Sequence, residues 1–272
     1  MTDAIRLRAR LPASIGAARR AWTDAAALRH WLAEHAEASP AGGYAFWGRH
    51  TPEGEEPRQR LLHVDDRKLR FSWELSGEET IVEVLLEEDA DSTAVTLSQT
   101  CFDGTYAGYP SGIVLTVFWS LALGNLADHL LDRPTTPRCD YTARDLRMEV
   151  AIGAPRAAVF GSLTDSEKFS RWFGLPVEIE PYAGGSWAIR HGGPIGTVRA
   201  LEPDRLLSLE EDSGISTWEL EDHGDGTLLR LGLSGFDPAS PPYPGWTGWL
   251  SAISSLRRYH ELDDWRPLWL DA

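Results

Sequence analysis

Apolar and polar residues alternate along several short stretches of the chain, a pattern typical of half-buried β-strands. Residues 5–11 alternate strictly, and residues 146–152 do the same. Three further alternating stretches follow each of them, at 69–73, 82–86 and 95–101 and again at 207–209, 218–220 and 229–233. The pattern therefore predicts two sets of antiparallel strands.

Each set of strands is followed by apolar residues at helical spacing. The intervals of four, three and four residues put these side chains on one face of a helix. They are Trp119, Leu123, Leu126 and Leu130 in the first half, and Trp249, Ile253, Leu256 and His260 in the second. An amphipathic helix laid on an antiparallel sheet is an α+β arrangement, and it is predicted twice.

A shorter repeat strengthens this interpretation. Leu28, Trp31 and Leu32 are spaced i, i+3 and i+4, and a shift of 141 residues places them on Phe169, Trp172 and Phe173. The same shift places Thr23-Asp24 on Thr164-Asp165. A period of this length is too long for a solenoid and indicates two copies of one domain. Each copy is expected to hold two short helices after its first strand.

Local turn chemistry supports these helices. Thr164 and Glu167 have the spacing of a capping box, and Asp165 places negative charge at the helix start. A glycine pair follows each copy of the repeat, Gly42-Gly43 and Gly184-Gly185, where a turn needs a permissive backbone.

The length of 272 residues suits two domains of ordinary size. We predict a first domain at 1–133, a linker at 134–143 that Pro134 and Pro137 stiffen, and a second domain at 144–272.

The net charge of -15 argues against nucleic-acid and anionic-membrane partners. Cys101 and Cys139 lack metal-ligand spacing, and the chain has neither a signal-peptide pattern nor a run of 18 apolar residues. We therefore expect a cytoplasmic protein. Lys68 and Lys168 are the only lysines among 26 basic residues, which suggests a GC-rich bacterial genome.

Several short motifs occur in a characteristic order. In the second copy they are Ala154-Pro155, Leu163-Thr164-Asp165, Trp172-Phe173, Gly184-Gly185, Pro203-Asp204-Arg205-Leu206, Gly224-Asp225-Gly226-Thr227, Ser234-Gly235-Phe236 and Gly248-Trp249. The first copy keeps Thr23-Asp24, Trp31-Leu32, Gly42-Gly43, Asp66-Arg67 and Phe102-Asp103. It lacks the alanine-proline start and the Gly-Asp-Gly-Thr turn, so it is the more diverged copy.

In this order the motifs resemble the SRPBCC superfamily of START and birch-pollen-allergen-like helix-grip proteins. Within it, the chain looks most like the group related to the C-terminal domain of the activator of the ninety-kilodalton heat-shock-protein ATPase. The resemblance implies two tandem helix-grip domains, each with a curved antiparallel sheet wrapped around a long C-terminal helix. Such folds often enclose an apolar cavity between sheet and helix, but the fold does not determine the function.

No known catalytic or metal-binding motif is present in the sequence, so we predict no catalytic residue, metal ligand or cofactor. The candidate ligand-binding residues are instead those on predicted inward faces. They are Trp47, Trp73, Gln99, Trp119 and Leu123 in the first copy, and Trp187, Trp218, Trp249 and His260 in the second. For each tryptophan, core filling is the competing interpretation.

The two polar candidates each leave alternatives open. A buried Gln99 requires a partner, which could be a ligand, a water molecule or loop backbone. His260 could act as an acid or base near neutral pH, or could simply mark the end of its helix.

These features predict a protein that binds a hydrophobic, aromatic or polycyclic small molecule in a sheet–helix cavity, with binding favoured over catalysis. The first copy is the preferred site because Ala45 aligns with Trp187 and would leave room. One alternative is a polyketide aromatase/cyclase or a self-resistance protein of a natural-product pathway. Another is a chaperone-interacting module with a solid core. The sequence leaves the oligomeric state open.

Overall fold

The computed structural model describes residues 3–39, 43–190, 195–211 and 214–270. Gly42, one of the predicted turn glycines, lies outside this part of the chain. The chain divides into two compact units: residues 1–142, 243–251 and 268–272 form the first, and residues 143–242 and 252–267 form the second. The domain boundaries drawn above follow the sequence repeat and remain a prediction.

The first repeat contains nine strands and three helices in its described residues. In chain order they are β1 (Ala4–Leu11), α1 (Ile15–Thr23), α2 (Ala25–Trp31), β2 (His35–Ala38), β3 (Tyr44–Trp47), β4 (Gln59–Val64), β5 (Lys68–Leu75), β6 (Glu78–Asp89), β7 (Ser92–Thr100), β8 (Thr105–Tyr106), β9 (Tyr109–Pro110) and α3 (Ser111–Leu130).

The second repeat has the same order of long elements. They are β10 (Leu146–Ile152), α4 (Arg156–Thr164), α5 (Ser166–Phe173), β11 (Val177–Ile179), β12 (Ser186–Ile189), β13 (Ile195–Glu202), β14 (Leu206–Glu211), β15 (Gly214–His223), β16 (Gly226–Ser234) and α6 (Tyr243–Glu261).

Strand order confirms the duplication. The second repeat forms one seven-stranded antiparallel sheet, β10-β16-β15-β14-β13-β12-β11. The first repeat forms a five-stranded sheet of the equivalent order, β1-β7-β6-β5-β4, and its β2 and β3 form a separate pair. Each sheet is followed by a long helix, α3 or α6. The predicted α+β fold with two tandem helix-grip domains is therefore confirmed.

Bulges occur at equivalent places in the two sheets. The register shifts between Leu61 and His63 where β4 pairs with β5, and between Val198 and Ala200 where β13 pairs with β14. An extra residue on one strand bends it and increases its twist.

The repeated tryptophan ties the two short helices of each repeat together. The Trp31 indole donates a 3.0 Å hydrogen bond to the Ala21 carbonyl, and the Trp172 indole donates one of 2.8 Å to the Ser162 carbonyl. Both carbonyls lie ten residues upstream of the ring, in the last turn of the preceding helix. The repeated tryptophan thus makes the same hydrogen bond in both copies, in addition to contributing to the same apolar helix face.

The predicted capping box at Thr164 is wrong by one residue. The Asp165 side chain is the cap, because its carboxylate accepts a 2.9 Å hydrogen bond from the Lys168 amide. The Thr164 hydroxyl donates instead to the Phe160 carbonyl of the preceding helix. Asp24 caps α2 in the same way, so both copies use the aspartate.

The sheet of the first repeat is interrupted between β3 and β4. Where the second repeat pairs β12 with β13, β3 is connected to β4 by a side chain: the Gln59 Oε1 accepts a 3.1 Å hydrogen bond from the Phe46 amide. The polar segment 48–58 separates the two strands. The β2–β3 hairpin is thus attached to the main sheet less firmly than its counterpart in the second repeat.

Helix α3 is long and apolar enough to cross a membrane by length and composition alone, but 67% of its apolar window is buried inside the structure. Core helices commonly pass the same test. Residues 268–270 pack in the first unit, where the Leu268 carbonyl and the Leu270 amide hydrogen-bond to the backbone of β1. This contact covers the edge of the five-stranded sheet at β1.

We expect Asp165→Ala to lower the free energy of unfolding by about 1 kcal/mol, because the α5 amides lose their side-chain cap. Glu167→Gln serves as the matched control and should change stability by only a few tenths of a kcal/mol, about the size of an exposed dipole interaction. Urea unfolding of both variants measures the difference. Equal losses would mean that negative charge at the start of α5, rather than the Asp165 cap, provides the stabilisation.

Candidate functional site: the aromatic interior of the first unit

Aromatic rings fill the space between the sheet and α3 in the first unit. The Trp73 ring of β5 lies 6.0 Å from the Trp119 ring of α3, and the Phe46 ring of β3 lies 5.1 Å from Trp73. On the other side, Trp119 lies 5.9 Å from Trp22 of α1. All four side chains are buried. These separations are typical of favourable ring contacts, so the rings form one continuous layer.

Gln99 is buried beside this layer, and the protein supplies its partners. The Trp119 indole donates a 2.6 Å hydrogen bond to its Oε1, and its Nε2 donates a 2.9 Å hydrogen bond to the Thr80 hydroxyl. Thr80 in turn donates to the Trp73 carbonyl at 2.7 Å. Two side chains of the protein therefore pair with Gln99, rather than the ligand, water molecule or loop backbone considered above. The resulting hydrogen bonds join α3, β6 and β7.

The inward placement of Trp47 is corrected by the structure. Trp47 is half-buried and lies 5.5 Å from the exposed His35, on the opposite face of β3 from Phe46. Successive residues of a strand face opposite sides, so only one of Phe46 and Trp47 can contact Trp73. Trp73 and Trp119 do occupy the interior as predicted.

The argument that Ala45 leaves room is also corrected. In the second unit, Trp187 pairs with Ile179. With the 141-residue shift, Ile179 corresponds to Ala38, and Ala38 pairs with Tyr44. Tyr44 therefore takes the place of Trp187. A one-residue offset moves every side chain of a strand to the other face, so the expected space is filled by a phenol.

The remaining predicted ligand-binding residues lie in both units. Leu123 of α3 is fully buried in the first unit, and Trp187 and Trp218 are buried in the second. Trp249 is buried in the 243–251 part of α6, which belongs to the first unit. His260 is half-buried in the last turn of α6, where burial lowers its pKa. Its ligand-binding role remains a prediction.

Two polar atoms of this interior were missed by the sequence analysis. The Trp22 Nε1 and the Tyr44 hydroxyl are buried and find no hydrogen-bond partner among the described residues. Tyr44 lies 5.0 Å from Phe71 and 6.2 Å from Phe46, measured between ring centroids. Burial raises the pKa of the Tyr44 phenol, so it stays protonated and able to donate.

A small cavity of about 10 Å³ lies near this interior in the first unit. Its lining residues come from α2, α3, the 138–141 segment and α6: they include Trp31, Phe118, Asn125, Arg138, Cys139, Tyr141 and Thr247, with His50 beside them. A cavity needs about 10–15 Å³ to hold one water, and drug-sized ligands occupy about 300–1,000 Å³. This cavity is therefore too small for a polycyclic molecule.

The thiol at this cavity is not an activated nucleophile. Cys139 is buried, and burial raises its pKa to about 12, so the thiolate is scarce at neutral pH. The nearby His50 Nδ1 lies 2.9 Å from the Cys139 carbonyl oxygen rather than being directed at the sulfur. In the described part of the chain, no group of three or more His, Cys, Asp or Glu side chains could hold a metal ion.

We expect Gln99→Leu to lower the free energy of unfolding by about 1–3 kcal/mol, because it leaves the buried Trp119 indole without an acceptor. The double variant Gln99→Leu/Trp119→Phe removes both partners and tests the pairing in a double-mutant cycle. A coupling energy indistinguishable from zero in urea unfolding would contradict the hydrogen bond.

Comparison with solved structures identifies several proteins of similar fold. The Aha1 dimer from Colwellia psychrerythraea is 18% identical, with a TM-score of 0.40 over 44% of this chain and 98% of that one. DynU16, from the dynemicin biosynthetic locus, is 20% identical, with a TM-score of 0.38 over 95% and 99%. CalU16 from Micromonospora echinospora is 25% identical, with a TM-score of 0.37 over 43% and 74%. No curated protein matches the chain.

The family assignment comes from the sequence. A model of the family described as Activator of Hsp90 ATPase homolog 1-like protein matches residues 13–130 and again residues 153–261. The two matches cover most of the chain and coincide with its two repeats. The chain therefore belongs to the Activator of Hsp90 ATPase homolog 1-like family and carries the family's domain twice.

Proposed function

We propose that the protein binds a hydrophobic, aromatic small molecule between the sheet and α3 of its first unit, without transforming it. The observation that carries this proposal is a pair of buried atoms, the Tyr44 hydroxyl and the Trp22 Nε1, for which the described residues supply no hydrogen-bond partner. An unsatisfied buried polar group costs about 1–3 kcal/mol. A bound molecule with an aromatic body and a hydrogen-bonding tip would satisfy such a group.

Room for this molecule would come from β3. Tyr44 and Phe46 lie on this strand and fill the interior, while the β2–β3 hairpin is a separate two-stranded sheet. Outward movement of the hairpin would withdraw the Phe46 ring from Trp73 and leave a space suited to a flat bicyclic molecule, with Tyr44 on the wall of that space. Trp73 and Trp119 would remain as stacking surfaces, since they lie on β5 and α3.

Binding is favoured over turnover by the polar groups available there. Both polar atoms of the Gln99 amide are engaged by Trp119 and Thr80. The Tyr44 phenol is held protonated by burial, so it is suited to donate a hydrogen bond rather than to accept a proton. These groups support recognition of a ligand more than aromatase or cyclase chemistry.

A second candidate function is interaction with a chaperone. The filled interior favours it, because a solid core suits a protein that acts through its outer surface. The family name refers to activation of the Hsp90 ATPase, which makes a bacterial Hsp90-type chaperone the partner to test. Stimulation of that chaperone's ATPase, unchanged by Tyr44→Phe, would favour this function over small-molecule binding.

We expect 1-naphthol, used as a bicyclic probe with one hydroxyl, to bind the full chain at one site. Tyr44→Phe should weaken this binding at least tenfold, because the hydroxyl donor is lost, and should leave the melting temperature unchanged or raise it. Isothermal titration calorimetry and thermal unfolding measure the two effects. Tyr182→Phe, at an exposed tyrosine of the second unit, is the matched control. Equal affinities of wild type and Tyr44→Phe would contradict the proposed site.

We expect Gln59→Ala to release the β2–β3 hairpin, because the Phe46 amide loses its acceptor on β4. Hydrogen exchange of the β3 amides should quicken several-fold, while exchange of the β5–β7 amides stays unchanged. Arg60→Ala, on the same strand but paired with Glu79 at the surface, is the control and should have no effect on β3. Uniform acceleration across the sheet would mean general destabilisation instead.

A further inference from the structure

Two histidines meet where two helices of the first unit end. His30 lies in the last turn of α2 and His129 in the last turn of α3. Their Nδ1 atoms are 3.0 Å apart, and their ring centroids are 4.9 Å apart. Without a bound ion, one Nδ1 can donate a hydrogen bond to the other. The same separation also suits two imidazoles that share one metal ion.

The electrostatic surroundings favour a cation at this point. The C-terminal end of a helix carries partial negative charge, and two such ends converge here. The carboxylates of Asp24 and Asp132 lie near enough to His129 to interact with it electrostatically, and their negative charge also favours a cation there.

The distance between the nitrogens is compatible with one ion bound by both. Bonds of about 2.0–2.1 Å from each nitrogen to that ion, with the nitrogens 3.0 Å apart, imply an N–metal–N angle of roughly 91–97°. A tetrahedral angle would need a separation of about 3.3–3.4 Å for the same bonds. An angle near 90° is that of neighbouring positions in a square-planar or tetragonal site, the geometry of Cu²⁺ and Ni²⁺.

We propose that His30 and His129 form a two-histidine site for a divalent transition-metal ion, with Cu²⁺ bound more tightly than Ni²⁺ or Zn²⁺. Imidazole suits all three ions, and the usual order of affinities places Cu²⁺ first. The described residues supply two ligands, so water or an exogenous donor takes the remaining positions. The site is independent of the aromatic interior and of the function proposed for it.

Titration of the tag-free, chelator-treated full chain with CuCl₂ tests this site. Calorimetry should show one equivalent bound to wild type, and His30→Asn should weaken that binding at least tenfold. His223→Asn removes an exposed histidine of the second unit and is the matched control, expected to bind as wild type does. Circular dichroism checks that both variants fold.

Electron paramagnetic resonance of the Cu²⁺ complex identifies the ligands directly. Wild type and His223→Asn should show hyperfine coupling to two equatorial imidazole nitrogens, and His30→Asn should lose one of them. Copper bound adventitiously elsewhere would give the same affinity and the same spectrum in wild type and His30→Asn. That result would overturn the proposal.

Discussion

The filling of the first unit's interior by aromatic rings is the constraint on which the rest of this structure depends. Trp22, Phe46, Trp73 and Trp119 occupy the volume that a helix-grip fold can otherwise leave open between sheet and helix. Protein interiors are packed as densely as organic crystals, so a ligand cannot enter such a layer without displacing part of it. Ligand binding in this unit would therefore depend on which of these rings can move.

The two repeats differ most at β3 and its counterpart β12, where each strand connects to the rest of its sheet. In the second, β12 pairs with β13 and the sheet continues to its edge; in the first, the polar segment 48–58 follows β3, and Gln59 supplies a side-chain acceptor in place of a ladder. Trp73 and Trp119 lie on long elements with many backbone hydrogen bonds, whereas Tyr44 and Phe46 lie on a four-residue strand. Displacement costs least on β3, which is why the proposed binding site lies in the more diverged copy.

Periodic features of the sequence were the predictable ones. Alternation located the strands, helical spacing located α3 and α6, and the shift of 141 residues revealed the duplication, because each of these signals repeats over many residues. The facing of β3 could not be predicted in this way, since Tyr44, Ala45, Phe46 and Trp47 are all apolar and show no alternation. The cap of α5 could not be predicted for a related reason. Thr164 and Asp165 are adjacent, and either side chain can cap a helix. The His30–His129 contact depends on tertiary structure and leaves no local signal.

The Tyr44 phenol, which finds no partner among the described residues, bears on the proposed function more directly than the cavity volume does. The same interior satisfies Gln99 through two side chains, so this fold can provide partners for buried polar groups. Phenylalanine would fill the place of Tyr44 without the desolvation cost of a hydroxyl. A protein that acts through its surface needs neither the Tyr44 hydroxyl nor the Trp22 Nε1. A core that is only filled would be more stable without these two buried polar atoms. Under the proposed function, both atoms would gain a partner when a ligand occupies the interior, and this is the physical difference between the proposed binding core and a merely solid one.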